Sequence, residues 1–152
     1  MEIREGGLDD PAVIELLRLH LESVRANPTP GGAHVLDRAA LKANDITFWS
    51  AWRGDELIGC SAIREFEPGH GEIKSMRTAP NQLRRGAGMA LMAHMLGVAR
   101  ERAYKRLSLE TGATPEFEAA QALYRQMGFT YCGPFGAYRD DPMSKFMTRV
   151  LL

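Results

Sequence analysis

The stretch that most narrows the possible folds is NQLRRGAGMALM, residues 81–92: two arginines, two glycines one residue apart, then an apolar run with helical spacing. It follows GEIKSMRTA (71–79), which reads as a strand, and a second strand, KRLSLE, comes after the helix at 105–110. Strand, glycine loop, helix and strand in that order predict a crossover that joins two parallel strands. A helix opening at such a loop presents free N–H groups and the positive end of its dipole, which favour an anion. Gly86 and Gly88 let backbone approach a ligand with no Cβ in the way, and Arg84 and Arg85 add charge at the rim. The combination suits a diphosphate, although a flexible helix start with no ligand uses the same residues.

The flanking chain restricts the fold further. MEIRE reads as a first strand and DDPAVIELLRLHLESVRA as a helix, with Asp9 or Asp10 as cap, Pro11 in the first turn, and Ile14, Leu17 and Leu21 as its apolar stripe. NPTPGGAH is a loop, and LDRAALKAN is read as a short second helix. DITFWSAW and ELIGCSAIREFE flank RGD and predict a hairpin. TPEFEAAQALYRQM reads as a helix with Thr114 as N-cap, a stripe of Phe117, Ala120, Leu123 and Met127, and Gly128 as its terminator. FTYCG and SKFMTRVLL are the closing strands. An antiparallel hairpin that feeds a parallel crossover gives a mixed sheet, and the class is α+β or mixed α/β. The 152 residues suit a single domain, 1–152, with a real core.

Composition excludes several functions. Lys plus Arg equals Asp plus Glu at 19 each, so nothing global draws the chain to nucleic acid or an anionic membrane. The longest apolar region, around 87–99, contains His94 and is too short to span a bilayer. The N-terminus lacks the pattern of a secretory leader, and Cys60 and Cys132 have no metal spacing, so the reading is a cytoplasmic protein with reduced thiols and no metal site. A nucleotide P-loop needs Gly-Lys-Ser/Thr where this chain has Gly88-Met89-Ala90, and IGCSAI lacks the second glycine of a nucleophile elbow. A dinucleotide fold remains a rival, with Glu110 near the spacing of a ribose-binding carboxylate; Leu91 at the third glycine position and the preceding hairpin oppose it.

At this point EIKSMRTAPNQLRRGAGMALM resembles the signature of the GCN5-related N-acetyltransferases: a Glu-Ile-Lys-x-Met strand, a proline, then Gln/Arg-x-x-Gly-x-Gly/Ala, with Leu83 in place of the first Gln or Arg. AAQALYRQMGF (119–129) resembles the second hallmark, Ala-x-x-Leu-Tyr-x-x-x-Gly-Phe, with Phe117 where asparagine is usual. PFGAYRDDPMSKFM, TFWSAW and LSLETG further resemble a bacterial subgroup that acetylates small molecules.

The resemblance implies a three-layer fold: a twisted mixed sheet of about six to seven strands whose central parallel strands splay, flanked by about four helices. It implies transfer of acetyl from acetyl-CoA to a primary amine of a small or amino-acid-like acceptor; a CoA-binding domain without turnover is the alternative. Met76 N–H would polarise the acetyl carbonyl, and Arg77 and Thr78 belong to the same cofactor strand, Thr78 holding the pantetheine arm. Backbone at Arg84, Arg85, Gly86, Ala87 and Gly88 would hold the pyrophosphate. Tyr124 is the candidate acid for the departing thiolate. Glu72 is the candidate base, placed by strand alternation on one face with Lys74, Met76 and Thr78, and Glu110 is the second choice. His34, Trp49, Glu110, Tyr138, Asp141 and Ser144 are candidates for the acceptor site, and a homodimer is in keeping with the family.

Overall fold

The computed structural model describes residues 1–26, 37–83 and 85–151. One seven-stranded sheet runs in the order β1-β2-β3-β4-β5-β7-β6: β1 (Glu2–Glu5), β2 (Ile46–Arg53), β3 (Glu56–Glu67), β4 (His70–Thr78), β5 (Arg106–Gly112), β6 (Thr130–Cys132) and β7 (Ser144–Val150). Every neighbouring pair is antiparallel except β4 and β5. The parallel pair is the one whose strands are joined by a helix, α2 (Ala87–Glu101), as a crossover requires.

Three α-helices lie among the described residues, fewer than the four the sequence suggests. LDRAALKAN holds only a single 3-10 turn, Ala40–Lys42, with Leu41 tucked into the core beside α1. α1 (Pro11–Ala26) starts where expected: Asp10 Oδ1 accepts the Ala12 N–H at 2.9 Å. Its buried stripe is Val13, Leu16 and Leu17, whereas Ile14 is exposed. The expected stripe is thus rotated, because three-residue and four-residue steps from either Val13 or Ile14 fit the same local pattern. α3 (Glu118–Gln126) is preceded by a 3-10 turn at Pro115–Phe117, and Thr114 makes no side-chain cap bond. α3 ends as predicted at Gly128 (φ +90°), with Phe129 N–H bonded back to Tyr124 C=O and Gly128 N–H to Arg125 C=O.

The two faces of the sheet bury different layers. α2 and α3 cover one face, where Ile63, Ile73, Leu107, Leu109 and Met147 pack with Met92, Met95, Leu96 and Phe129. α1 covers the β2–β3 part of the other, over Phe48, Trp52, Cys60 and Ala62. Trp49 and Trp52 lie on opposite faces as alternation predicts, but both are core residues. Among the described residues no helix is long and apolar enough to cross a membrane.

Candidate active site

β4 and β5 pair only through His70–Arg106, Gly71–Leu107 and Glu72–Ser108. Beyond that point Ile73–Thr78 and Leu109–Gly112 continue without partnering each other, although β5 stays paired to β7 along its whole length. The parting strands leave backbone donors and acceptors of β4 facing an open seam. Such groups are costly unless a ligand or water takes them.

α2 begins at the mouth of the seam. Its N-cap is Gly86 in the left-handed region (φ +83°), no side chain caps it, and no carboxylate occupies its first turn. A Cβ on Gly86 would meet nothing within 4 Å, so that side of the turn is open. At Gly88 a Cβ would lie 2.9 Å from Leu123 Cδ2, so the bare backbone there also lets α3 close onto α2. Arg85 is exposed, Ala87 is buried in the core, and Arg84 lies outside the described residues.

Strand alternation along β4 fails at Ser75. Between Lys74, opposite Ala62, and Arg77, opposite Cys60, β4 spends one residue more than β3, and Ser75 takes φ +52°. The expectation that Glu72, Lys74, Met76 and Thr78 share a face is therefore overturned. Glu72, Lys74 and Arg77 share the α1 face with their β3 partners. Met76 turns to the α2 face and packs by Ala87 and Leu91, and Thr78 stands opposite Gly59, which Leu91 approaches from that same face. The bulge thus separates residues beside the helix turn from residues on the opposite wall.

On that wall the structure gathers four of the sequence candidates. Tyr138 hydroxyl donates to Glu72 Oε2 at 2.5 Å, and Lys74 Nζ donates to the same oxygen at 3.2 Å. Ser144 hydroxyl donates to Glu110 Oε1 at 3.0 Å. Burial, with the Glu72 charge adding to it, holds the Glu110 carboxyl above the usual carboxylate range against the opposing Ser144 bond. Burial and then the Glu72 charge likewise push the Tyr138 phenol up. Tyr124 comes from the other side of the seam, on α3, half-buried against the α2-side core. Burial, reinforced by the Glu110 charge, pushes its phenol up to about 12. Tyr124 therefore senses the Glu110 charge from the other side of the seam.

The remaining candidates stand elsewhere. Trp49 is sealed in the core, edge-on to His94 at 5.4 Å between ring centroids, and does not reach this wall. Asp141 closes a turn, its Oδ1 accepting the Met143 N–H at 2.8 Å. His34 lies outside the described residues. Lys74 entered the sequence reading only as a strand neighbour; its signal was a lysine inside an otherwise buried strand. Phe66, Phe135 and Phe146 were also missed. Phe135 stacks against Phe66 (5.5 Å), Tyr138 (5.2 Å) and Phe146 (5.9 Å), folding the tail over the wall.

The sheet thus opens at one parallel seam, with a helix N-terminus at its mouth and ionisable groups on both sides. The chain belongs to the GNAT family of acetyltransferases, whose family model, described as Acetyltransferase (GNAT) family, matches residues 13–129. It is 46% identical over 99% of its length to the uncharacterized N-acetyltransferase YsnE of Bacillus subtilis (strain 168), covering 100% of that protein. It is 37% identical to an IAA acetyltransferase of Azospirillum brasilense, over 97% of this chain and 95% of that one. The fold matches a Bacillus subtilis acetyltransferase crystallised in complex with CoA, at TM-score 0.72 and 17% identity, over 99% of each chain.

Proposed function

We propose that the protein transfers acetyl from acetyl-CoA to a primary amine of a small, amino-acid-like acceptor, by direct attack of the amine on the thioester. The observation that carries this reading is the three-residue limit of the β4–β5 pairing, which opens the sheet between Tyr124 on one face and Glu110 on the other. The described residues fit such a cosubstrate: a bare left-handed turn at Gly86 for a diphosphate, and an unpaired β4 edge for an amide-rich arm. Acetyl-CoA supplies the activated acetyl group: the amine nitrogen bonds to its carbonyl carbon, the carbon–sulfur bond breaks, and free thiol leaves.

The chain's own residues would divide the remaining work. The freed backbone at Met76 offers an oriented donor to a carbonyl oxygen, the kind of group that contributes most in acyl transfer. Tyr124, with its phenol held at about 12, stays protonated throughout the working range and can deliver its proton to sulfur. Glu110, its carboxyl held above the usual range by burial, is suited to take a proton from the attacking nitrogen, directly or through water. Glu72 already accepts from Lys74 and Tyr138 on one oxygen, which suits it to hold the acceptor's amino group rather than to shuttle protons. This reading moves the base from Glu72 to Glu110. The continuous sheet from β1 to β7 supports a single catalytic unit.

The test is thermal unfolding of the purified protein with CoA and, separately, NAD, followed by thiol release from acetyl-CoA with a panel of amines. CoA should stabilise the fold, NAD should not, and at least one amine should release thiol. Equal stabilisation by NAD would return the dinucleotide reading. Stabilisation by CoA without amine-dependent thiol release would leave a CoA-binding module.

A further inference from the structure

Arg77 stands on the charged wall, two cross-strand steps past Lys74. The cations nearest it along that wall have anionic partners: Lys74 bonds Glu72, and Arg64 pairs with Asp45 at 3.0 Å. The half-buried Arg77 guanidinium has neither a carboxylate nor a hydrogen-bond acceptor among the described residues. The side chain that senses its charge from α1 is His20. Burial, then the Arg77 charge, brings that imidazole down to about 4, so it is neutral, and its buried Nδ1 has no partner among the described residues.

A partly desolvated guanidinium with no counter-ion among the described residues, on the face where α1 carries the orphaned His20 Nδ1, suits an anion. This anion is distinct from the diphosphate: Gly86 caps α2, whose first turn packs on the other face through Ala87 and Leu91, whereas the bulge at Ser75 directs Arg77 to the α1 side. It belongs with the acceptor. From Glu72 to Arg77 the partner strand runs from Arg64 to Cys60, about 13 Å of strand, with Lys74 between them. Two long side chains of opposite charge facing each other over that interval can meet a molecule with an amine at one end and an acid at the other. The planar fork of arginine matches a carboxylate through two parallel bonds.

We propose that Arg77 receives a carboxylate of the acceptor, so that the acceptor is an amino acid or related amino-carboxylate rather than a simple amine, polyamine or aminoglycoside. This rests on the acyl-transfer reading for the amine end of the same molecule.

Matched sets decide it: each amino acid, its amide and its decarboxylated amine, assayed by thiol release with the native chain, Arg77→Met and Arg77→Lys. For the preferred set, kcat/KM should favour the free acid over its amide by about ten- to a hundredfold, the worth of a charge-assisted bond. Arg77→Met should bring that ratio to about one, chiefly through KM, and Arg77→Lys should restore part of it. A parallel assay needs no turnover. With CoA present, N-acetylated amino acids should raise the unfolding temperature of the native chain more than their amides do, and Arg77→Met should lose the difference. If CoA stabilises the fold but no amine releases thiol, only the transfer reading fails, and this binding assay still decides the carboxylate site. Equal treatment of acids and amides by the native chain, or a preference that persists in Arg77→Met, overturns the inference.

Discussion

The two walls of the β4–β5 seam are built from alternate residues of the same strands, yet they follow opposite rules. On the α2 side Ile73, Leu107 and Leu109 are buried against Met92, Met95 and Phe129, with no charge among them. On the α1 side Glu72, Lys74 and Glu110 lie with Tyr138 and Ser144 beside a tail of aromatic rings, and Arg77 stands further along the same face. One wall stabilises the sheet where it is weakest, at a parallel pair only three residues long. The other gathers charges that water would solvate better. Stability and chemistry are thus segregated by the period of two of an extended chain.

That contrast can be broken from either wall. The largest effect should come from Tyr124→Phe, which removes the acid and leaves the ring's packing. Thiol release should fall about 10²- to 10⁴-fold in kcat, the usual span for general acid–base catalysis, with KM for acetyl-CoA changed far less. A native-like kcat would remove Tyr124 from the chemistry.

Leu109→Ala, on the apolar wall one residue before Glu110, should cost about 2–5 kcal/mol in denaturant unfolding, because it cuts a cavity beneath α2. Glu110→Gln, the next residue on the opposite wall, should change stability by less than about 1 kcal/mol in either direction while lowering turnover. Because the native Glu110 carboxyl holds its proton above the ordinary carboxylate range, native stability falls as pH rises through that window. Glu110→Gln should remove that slope. A large loss of stability in this variant would mean that the charged wall is structural after all.

Acid tests the same wall through His20. Its native imidazole titrates near 4 instead of the usual 6.5, so the unfolded chain binds the extra proton and stability drains as pH falls from about 6.5 to 4. The loss from this group alone is about 3 kcal/mol. His20→Gln should flatten the acid limb of a pH series of unfolding curves, and an unchanged limb would place the loss in other groups.

Local signals in the sequence were sufficient for the start of α1, the end of α3 and the glycine turn before α2. Gly86 marks a left-handed cap, Asp10 a helix start and Gly128 a helix stop, because each is settled within a few residues of chain. Tyr138 and Ser144 were legible as candidates only through their resemblance to a tail segment. Their partners, Glu72 and Glu110, come from strands distant in sequence. Trp49 was misread because an aromatic residue in a strand is the same letter whether it lines a cleft or fills a core. The packing role of Gly88 was not legible, because the atom that needs its missing side chain, Leu123 Cδ2, lies 35 positions along the chain on another helix.

By itself, then, the amino-acid order determined the seven strands, the three long helices and their sequence along the chain, since propensities, caps and apolar periods act over short range. Tertiary structure alone decided which wall each β4 residue occupies. A serine with φ +52° carries no glycine to announce it, and the extra residue is held there by pairing with β3. That one inserted residue sends Met76 toward the cosubstrate turn and Arg77 toward the acceptor, because in a pleated strand a shift of one exchanges the faces of everything beyond it.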